Sequence, residues 1–303
     1  DIGPIGASLP LRLAGGLHAL VLRGDAPDLA AVFPPNAPSD ADLRQALADA
    51  LVTHHDSLNQ WIAHAPQTNE VRRSAALIPA GRWVTARFGL PLMLSELGAS
   101  GGLNLIWDRF ALKLGAKVFG PHDAGVCLTP DWSGPLPCPD APRIADRRGV
   151  DLNPLDPSQP ADRERLLAYL WADQADRLAR TRAAMAMAMG VTRVARDDAA
   201  PWLEQRLTAQ PEGQVHLIFH TIAFQYFPAA SQNAIKAAIE KRGMAATADR
   251  PLAWFSMEAD DQTRGAALTL RLWPGDLHLS MGRADFHGRW IDWTAHDPNS
   301  LGD

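Results

Sequence analysis

The chain has little cysteine and little lysine. Its 303 residues include two cysteines, Cys127 and Cys138, too few for a disulfide scaffold or a cysteine zinc site. The two flank a Pro-rich turn, across which a hairpin would let them meet. The rest of the chain reads as cytoplasmic, where thiols stay reduced. Only four of the 29 basic residues are lysine (Lys113, Lys117, Lys236 and Lys241), and the others are arginine. Against 34 acidic residues this leaves a net charge of −5, which argues against a protein that coats a nucleic-acid backbone. The longest stretch without a polar side chain is the nine residues Ala183–Val191, far short of the roughly 18 that span a membrane. No charged-then-apolar leader opens the sequence. Neither a nucleic-acid nor a membrane partner is expected. What is present is an ordinary globular composition, 47% hydrophobic and 21% charged, and a length that suits one large domain or one domain with a smaller companion.

Helical spacing dominates the first 89 residues. Leu43, Leu47, Ala50, Leu51, Leu58 and Trp61 predict a helix over 40–65, opened by Ser39 or Asp40 and closed by Pro66. A helix over 11–23 precedes it, and another follows over 71–88 with Pro79 as a kink. After Gly89 the pattern changes. Short apolar runs at 91–97, 143–151, 191–196, 214–220 and 251–257 read as strands alternating with helices at 103–110, 161–189, 202–207 and 231–241. Such alternation indicates a parallel sheet with crossovers. The end differs: 267–273, 277–283 and 289–293 are strand-like and joined by Pro274-Gly275-Asp276 and His287-Gly288, turns that make antiparallel strands. The Gly/Pro-rich stretch 112–140 reads as a β-hairpin insertion.

The strongest chemical signal is Ser95-Glu96-Leu97-Gly98-Ala99-Ser100-Gly101-Gly102, between a strand and a helix. An acid two positions before a Gly-rich turn suits a site for S-adenosylmethionine (SAM). Small residues let the backbone approach the ligand, the helix start offers free N–H groups, and the carboxylate can meet an ammonium. On this reading Glu96, Gly98, Ala99, Ser100 and Gly102 touch the cofactor. Asp151 ends the second strand, where a carboxylate holds ribose hydroxyls, and Asp198 follows the third, within reach of an adenine amine. A tight turn without a ligand explains the same glycines. The residues also spell G-x-S-x-G with Ser100 at its tip, a nucleophile elbow with Asp198 or Glu258 and then His287 as partners in chain order. No strand upstream supplies its oxyanion loop. His220, Glu258 and His287 are the candidate catalytic groups, each needed only if the acceptor must lose a proton. Gln67, Asn69, Glu70 and Arg73 start the helix that leads into the first strand and are candidate substrate contacts. His216 and His220 share H-x3-H spacing, but on a strand they lie about 13 Å apart, so no metal is expected.

Glu96-Leu97-Gly98-Ala99-Ser100-Gly101-Gly102-Leu103-Asn104-Leu105, Gln67-Thr68-Asn69-Glu70-Val71, Gly149-Val150-Asp151-Leu152-Asn153-Pro154-Leu155-Asp156, His220 with Gln225-Tyr226, and His287-Gly288-Arg289-Trp290 resemble an uncharacterised bacterial family, domain of unknown function 2332. The family's name carries no function. Its glycine loop is similar to that of class I SAM-dependent methyltransferases. The resemblance implies SAM as cofactor, a small-molecule substrate and Tyr226 among the substrate contacts. Ser100 replaces a glycine of the usual methyltransferase loop, and 258–265 is too short for the usual last helix. The expected fold is α/β, a Rossmann-like seven-stranded methyltransferase-type sheet with an antiparallel C-terminal end and a helical N-terminal cap. The cap takes residues 1–89 and the SAM-binding domain 90–303, with the insertion at about 112–140. The expected function is methyl transfer to a small molecule. A non-catalytic protein that keeps the fold and a serine hydrolase are the alternatives.

Overall fold

The structure, a computed structural model, describes residues 8–295, 297 and 298. In chain order the helices α1 (Leu9–Arg23), α2 (Pro27–Val32), α3 (Asp40–Thr53), α4 (His55–Ile62) and α5 (Ser74–Phe88) precede β1 (Leu92–Leu97). Then come β2 (Ala111–Leu114), β3 (Lys117–Phe119), β4 (Cys127–Leu128), β5 (Asp131–Ser133), β6 (Ile144–Asp151), α6 (Pro160–Ala168), α7 (Ala175–Ala188), β7 (Val194–Arg196) and α8 (Ala199–Thr208). The last elements are β8 (Val215–Thr221), α9 (Ala229–Met244), β9 (Leu252–Glu258), β10 (Ala266–Trp273), β11 (Leu277–Ala284) and β12 (Trp290–Trp293). They form two compact units, Asp1–Asn69 with Leu155–Ala186, and Glu70–Pro154 with Met187–Asp303. Helix α5, placed by the sequence in an N-terminal cap, therefore belongs with the sheet, and α6 and most of α7 belong with the N-terminal helices.

The helical unit is built on Leu17, Leu20, Leu29, Ala46, Ala50 and Leu58, all buried. Gly24 closes α1 in the left-handed region at φ 79°, and the Ser39 hydroxyl caps α3 by accepting from the Asp42 amide at 3.2 Å. The helix expected over 40–65 is two helices that meet at His54. The one expected over 161–189 is also two, separated by 169–174. The apolar spacing continues across that gap, which hides it. The backbone leaves the helix where the Ala168 and Leu170 carbonyls turn to the His18 ring.

The second unit holds one nine-stranded mixed sheet in the order β5-β12-β11-β10-β9-β8-β1-β6-β7. Strands β7, β6, β1, β8 and β9 are parallel. From β9 the chain turns back directly into antiparallel β10 and then β11 and β12, as the turn residues imply. The segment 259–265 is a loop with no helix. The expected seven-stranded type is exceeded: the eight segments read as strands are all present, and the far edge gains a ninth, β5, which pairs with β12 in parallel and brings Trp132 onto Trp293 at 6.0 Å between ring centres. The rest of the 112–140 insertion is a small sheet, β3-β2-β4, rather than a simple hairpin. Helices cover both faces of the parallel part. Leu203 and Leu207 of α8 and Ile235 and Ile239 of α9 pack on Leu97, Val150 and Ile218, while α5 packs beside the 3₁₀ segment Leu103–Arg109. Helix α5 runs on through Pro79. Both cysteines are free thiols. Among the described residues no helix is long and apolar enough to cross a membrane.

Gly81 of α5 lies against the fully buried Trp107 ring, and a Cβ there would overlap it. Helix propensity alone favours Gly81→Ala by about 1 kcal/mol. Overpacking costs about 1–3 kcal/mol and wins, because a buried indole has nowhere to go. Gly81→Ala is expected to lower the urea midpoint with an unchanged slope. An unchanged or higher midpoint would mean that the Trp107 site relaxes freely.

Candidate functional site

The chain leaves β1 for β6 and β7 on one side, then returns to β8 on the other. Strand order thus reverses between β1 and β8, and in open α/β sheets the crevice beyond such a reversal is where ligands bind. Glu96 stands at that point. It is 2% exposed, and its Oε2 is buried without a hydrogen-bond partner. Burial, followed by the nearby Asp151 carboxylate, pushes its pKa well above the ordinary value; the Arg73 guanidinium pulls the other way and loses.

The loop after β1 is pinned from β6. The Val150 carbonyl accepts from the Gly98 and Ala99 amides at 2.9 and 3.0 Å. Asp151 accepts from the Ser100 amide through Oδ2 and from the Asn153 amide through Oδ1, both at 2.9 Å. Gly98, Ser100 and Gly102 all have positive φ, at 71°, 52° and 68°. The glycines also serve packing: a Cβ on Gly98 would stand 2.6 Å from that of Ala223, and one on Gly102 would meet Val194 and Thr192. Ala99 is fully buried. The Ser100 hydroxyl is buried with no partner.

Arg73 ties this end of the sheet together. It donates to the Thr221 carbonyl at 2.8 Å, just past His220, and to the Phe286 carbonyl at 3.0 Å, in the turn that carries His287. That turn is organised by Asp285, whose carboxylate accepts from the His287 and Arg289 amides and from the Arg289 side chain. Burial acts to raise the Asp285 pKa, but the Arg289 bonds and the two amides outweigh it and hold it at about 2. His287 itself is half exposed. Glu70 is buried and caps the turn Val71–Arg73 through the Arg72 amide. Gln67 and Asn69 end the helical unit, the first half-buried and the second buried.

The strand register separates two groups that the sequence put in one pocket. Glu96 pairs with Gly149 on one side and Phe219 on the other. Side chains alternate between faces, so Glu96 and Asp151 share a face and His220 lies on the opposite one. Glu258 follows His220, since His220 pairs with Ser256 two residues earlier. Among the candidate catalytic residues, His220 and Glu258 are thus on the other face from Glu96 and joined to each other. His220 Nδ1 is 2.7 Å from Glu258 Oε1, and the Trp254 indole N–H donates to His220 Nε2 at 3.0 Å. An indole only donates, so Nε2 accepts and the proton sits on Nδ1. The same Glu258 oxygen accepts from the Ala223 and Phe224 amides, each at 3.0 Å. Burial acts to raise its pKa, but these bonds outweigh burial and lower it. The pair lines a cavity of about 620 Å³ with Phe224, Trp254 and Ser256, whose walls include neither Asp151 nor any residue of the glycine loop.

Asp198 caps α8 through the Ala200 amide at 2.8 Å and accepts from the Ser231 hydroxyl. Tyr226 is 75% exposed and reaches solvent. Trp254 and Thr221 escaped sequence reasoning, because nothing local marks an indole or a carbonyl as the partner of a distant side chain. Among the described residues no cluster of His, Cys, Asp and Glu could hold a metal ion.

The Glu96 carboxyl makes stability depend on pH. Its folded pKa lies above the unfolded value, so the folded state holds a proton that the unfolded chain releases. Stability is then fully present below the unfolded pKa, near 4.5, and is lost as pH rises toward the folded one. Glu96→Gln stays neutral throughout. Its thermal midpoint is expected to gain on that of the wild type progressively between pH 5 and 8. A difference that stays constant over this range would place the Glu96 proton elsewhere.

A search of curated proteins found no match, and a search of solved structures found none. Residues 1–293 match a family described as an uncharacterised protein conserved in bacteria, DUF2332. By this match over nearly its whole length, the chain belongs to that bacterial family.

Proposed function

We propose that this chain binds S-adenosylmethionine at the end of β1 and transfers its methyl group to a small molecule, using the parallel part of the sheet as a Rossmann-like frame. The observation that carries the reading is Glu96: a buried carboxyl with an unpartnered oxygen at the strand-order reversal, beside a second carboxylate. A ligand ammonium is a group that the buried Glu96 oxygen would accept from. Leaving a buried acceptor unpaired costs about 1–3 kcal/mol, and a bound cation would recover it. Asp151, whose oxygens accept from the Ser100 and Asn153 amides at the end of β6, takes the ribose hydroxyls. Asp198 offers an acceptor for the adenine amine.

S-adenosylmethionine, when bound, supplies a methyl group activated by a sulfonium. The chain's part is then to align the acceptor with it. Of the expected catalytic groups, His287 is the exposed one, carried on the turn that Arg73 docks, and it takes the role of proton acceptor for acceptors that need one. His220 and Glu258 bond to each other through Glu258 Oε1 and act as a latch on the loop after β8. A serine hydrolase is favoured only by the positive φ of Ser100. Its hydroxyl has no partner, and hydrolase chemistry needs a base in hydrogen-bond reach.

Calorimetric titration with S-adenosylhomocysteine tests the proposal. Micromolar binding is expected, about −8 kcal/mol, weakened at least tenfold by Asp151→Asn and unchanged by Asp156→Ala. His220→Gln, on the other face, should lower stability by about 1–3 kcal/mol and leave the affinity as it was. Absence of heat and of a thermal shift at millimolar ligand would refute cofactor binding. Binding without turnover on any small-molecule acceptor would support the non-catalytic alternative. Covalent labelling of Ser100 by a fluorophosphonate, lost in Ser100→Gly, would establish the hydrolase instead.

A further inference from the structure

The helical unit contains a cavity of its own, about 610 Å³ in volume, within the range that holds a small organic molecule. Its walls are apolar: Leu11 and Leu17 of α1, Leu43 and Leu47 of α3, and Phe33 between them. Its floor is the non-helical stretch between α6 and α7. Gly15 lets that stretch come close, since a Cβ there would stand 2.8 Å from the Tyr169 ring.

Tyr169, Asp173 and Gln174 bring polar groups to the floor, and from α1 one polar side chain, His18, interrupts the apolar walls. His18 is 5% exposed and borders the cavity. Its Nδ1 lies 3.0 Å from the Leu170 carbonyl and 3.3 Å from that of Ala168. Carbonyls only accept, so Nδ1 carries the proton. Burial, with a further push from Arg182, lowers the ring's pKa below 6.5 and keeps it neutral at pH 7. Nε2 is therefore an acceptor, and among the described residues it has no hydrogen-bond partner. At the mouth stand the exposed Trp171 and Asp173. The Asp173 carboxylate and the Nε2 lone pair both disfavour an anionic head group, against the opposing charge of Arg182.

We propose that this cavity binds an aliphatic molecule with a single hydroxyl group, which donates to Nε2 of His18 while the chain lies among the leucines. The site is argued wholly from the helical unit and does not rest on the cofactor reading.

The test compares 1-octanol, methoxyoctane and octanoate on the full chain by ligand-detected NMR. Octanol is expected to bind about fivefold or more tightly than the ether, the factor that one hydrogen bond of about 1 kcal/mol gives, and octanoate more weakly than octanol. His18→Phe keeps a ring of similar shape without the acceptor and should bring alcohol and ether to equal affinity. Leu47→Trp, which fills the cavity, should abolish binding of both while circular dichroism stays that of the wild type. The idea fails if octanol does not bind the wild-type chain, if alcohol and ether bind it equally, or if the alcohol preference survives in folded His18→Phe. If His18→Phe does not fold, binding of octanol to folded Leu47→Trp at wild-type affinity overturns the proposal on its own.

Discussion

Strand β1 is buried over its whole length, and its parallel pairing with β6 and β8 governs what each group at the end of the sheet can reach. A slip of one residue would exchange the faces of every side chain on it. That would drive Glu96 toward the α8 and α9 core and turn Leu97 out of it. With helices on both faces, both sets of side chains are committed, so the register is strongly specified. From it follow the shared face of Glu96 and Asp151, the separate face of His220 and Glu258, and the position of the glycine loop over the end of β6.

Keeping Glu96 in this position is costly for the folded chain. A carboxyl removed from water holds its proton, and the neighbouring Asp151 carboxylate adds to the effect. Arg73 is close enough to temper this, yet its own hydrogen bonds go to the Thr221 and Phe286 carbonyls. Its positive charge is thereby held near Glu96 while its donors fasten the turn after β11 to the end of β8. Glu96 Oε2 is left buried and unpaired, a cost of about 1–3 kcal/mol for a buried polar group.

On the opposite face His220 is paired at both ring nitrogens, while Glu258 Oε2 and His216 Nδ1 are buried without a partner. His220 is stacked on Phe224 at 4.7 Å between ring centres, gives its one proton to Glu258 and accepts the Trp254 indole N–H. Glu258 in turn gathers three donors at one oxygen. This fixes the chain over 222–224, where Ile222 adopts a positive φ of 49°, an uncommon conformation for a β-branched residue. A second inward polar group, His216, is bonded to Ser95 at 2.8 Å, which in turn accepts from Arg206. Burial, then the Arg206 and Arg242 charges, lower the His216 pKa to about 3, so it is neutral at pH 7. The two histidines that share H-x3-H spacing thus belong to separate packing networks.

Local pattern was enough for much of this protein. Alternating strands and helices, the antiparallel end, the Ser39 cap and the acids at the ends of β1 and β6 were legible in the sequence, because periodicity, caps and turns act over a few residues. The two helix breaks and the ninth strand were not. Apolar spacing runs on across residues 169–174, while His18, whose ring meets the carbonyls at the break, lies about 150 positions earlier in the chain. Strand β5 is three residues long and gains its place only by pairing with β12. The same limit applied to the site. The sequence could name Glu96, Asp151, His220, Glu258 and His287, but face and partner depend on register and on contacts between residues far apart in the chain. Only the folded sheet could join His220 to Trp254 and Glu258 and leave Glu96 with an unpaired oxygen, because those outcomes are decided by burial and by which donor arrives within hydrogen-bond distance.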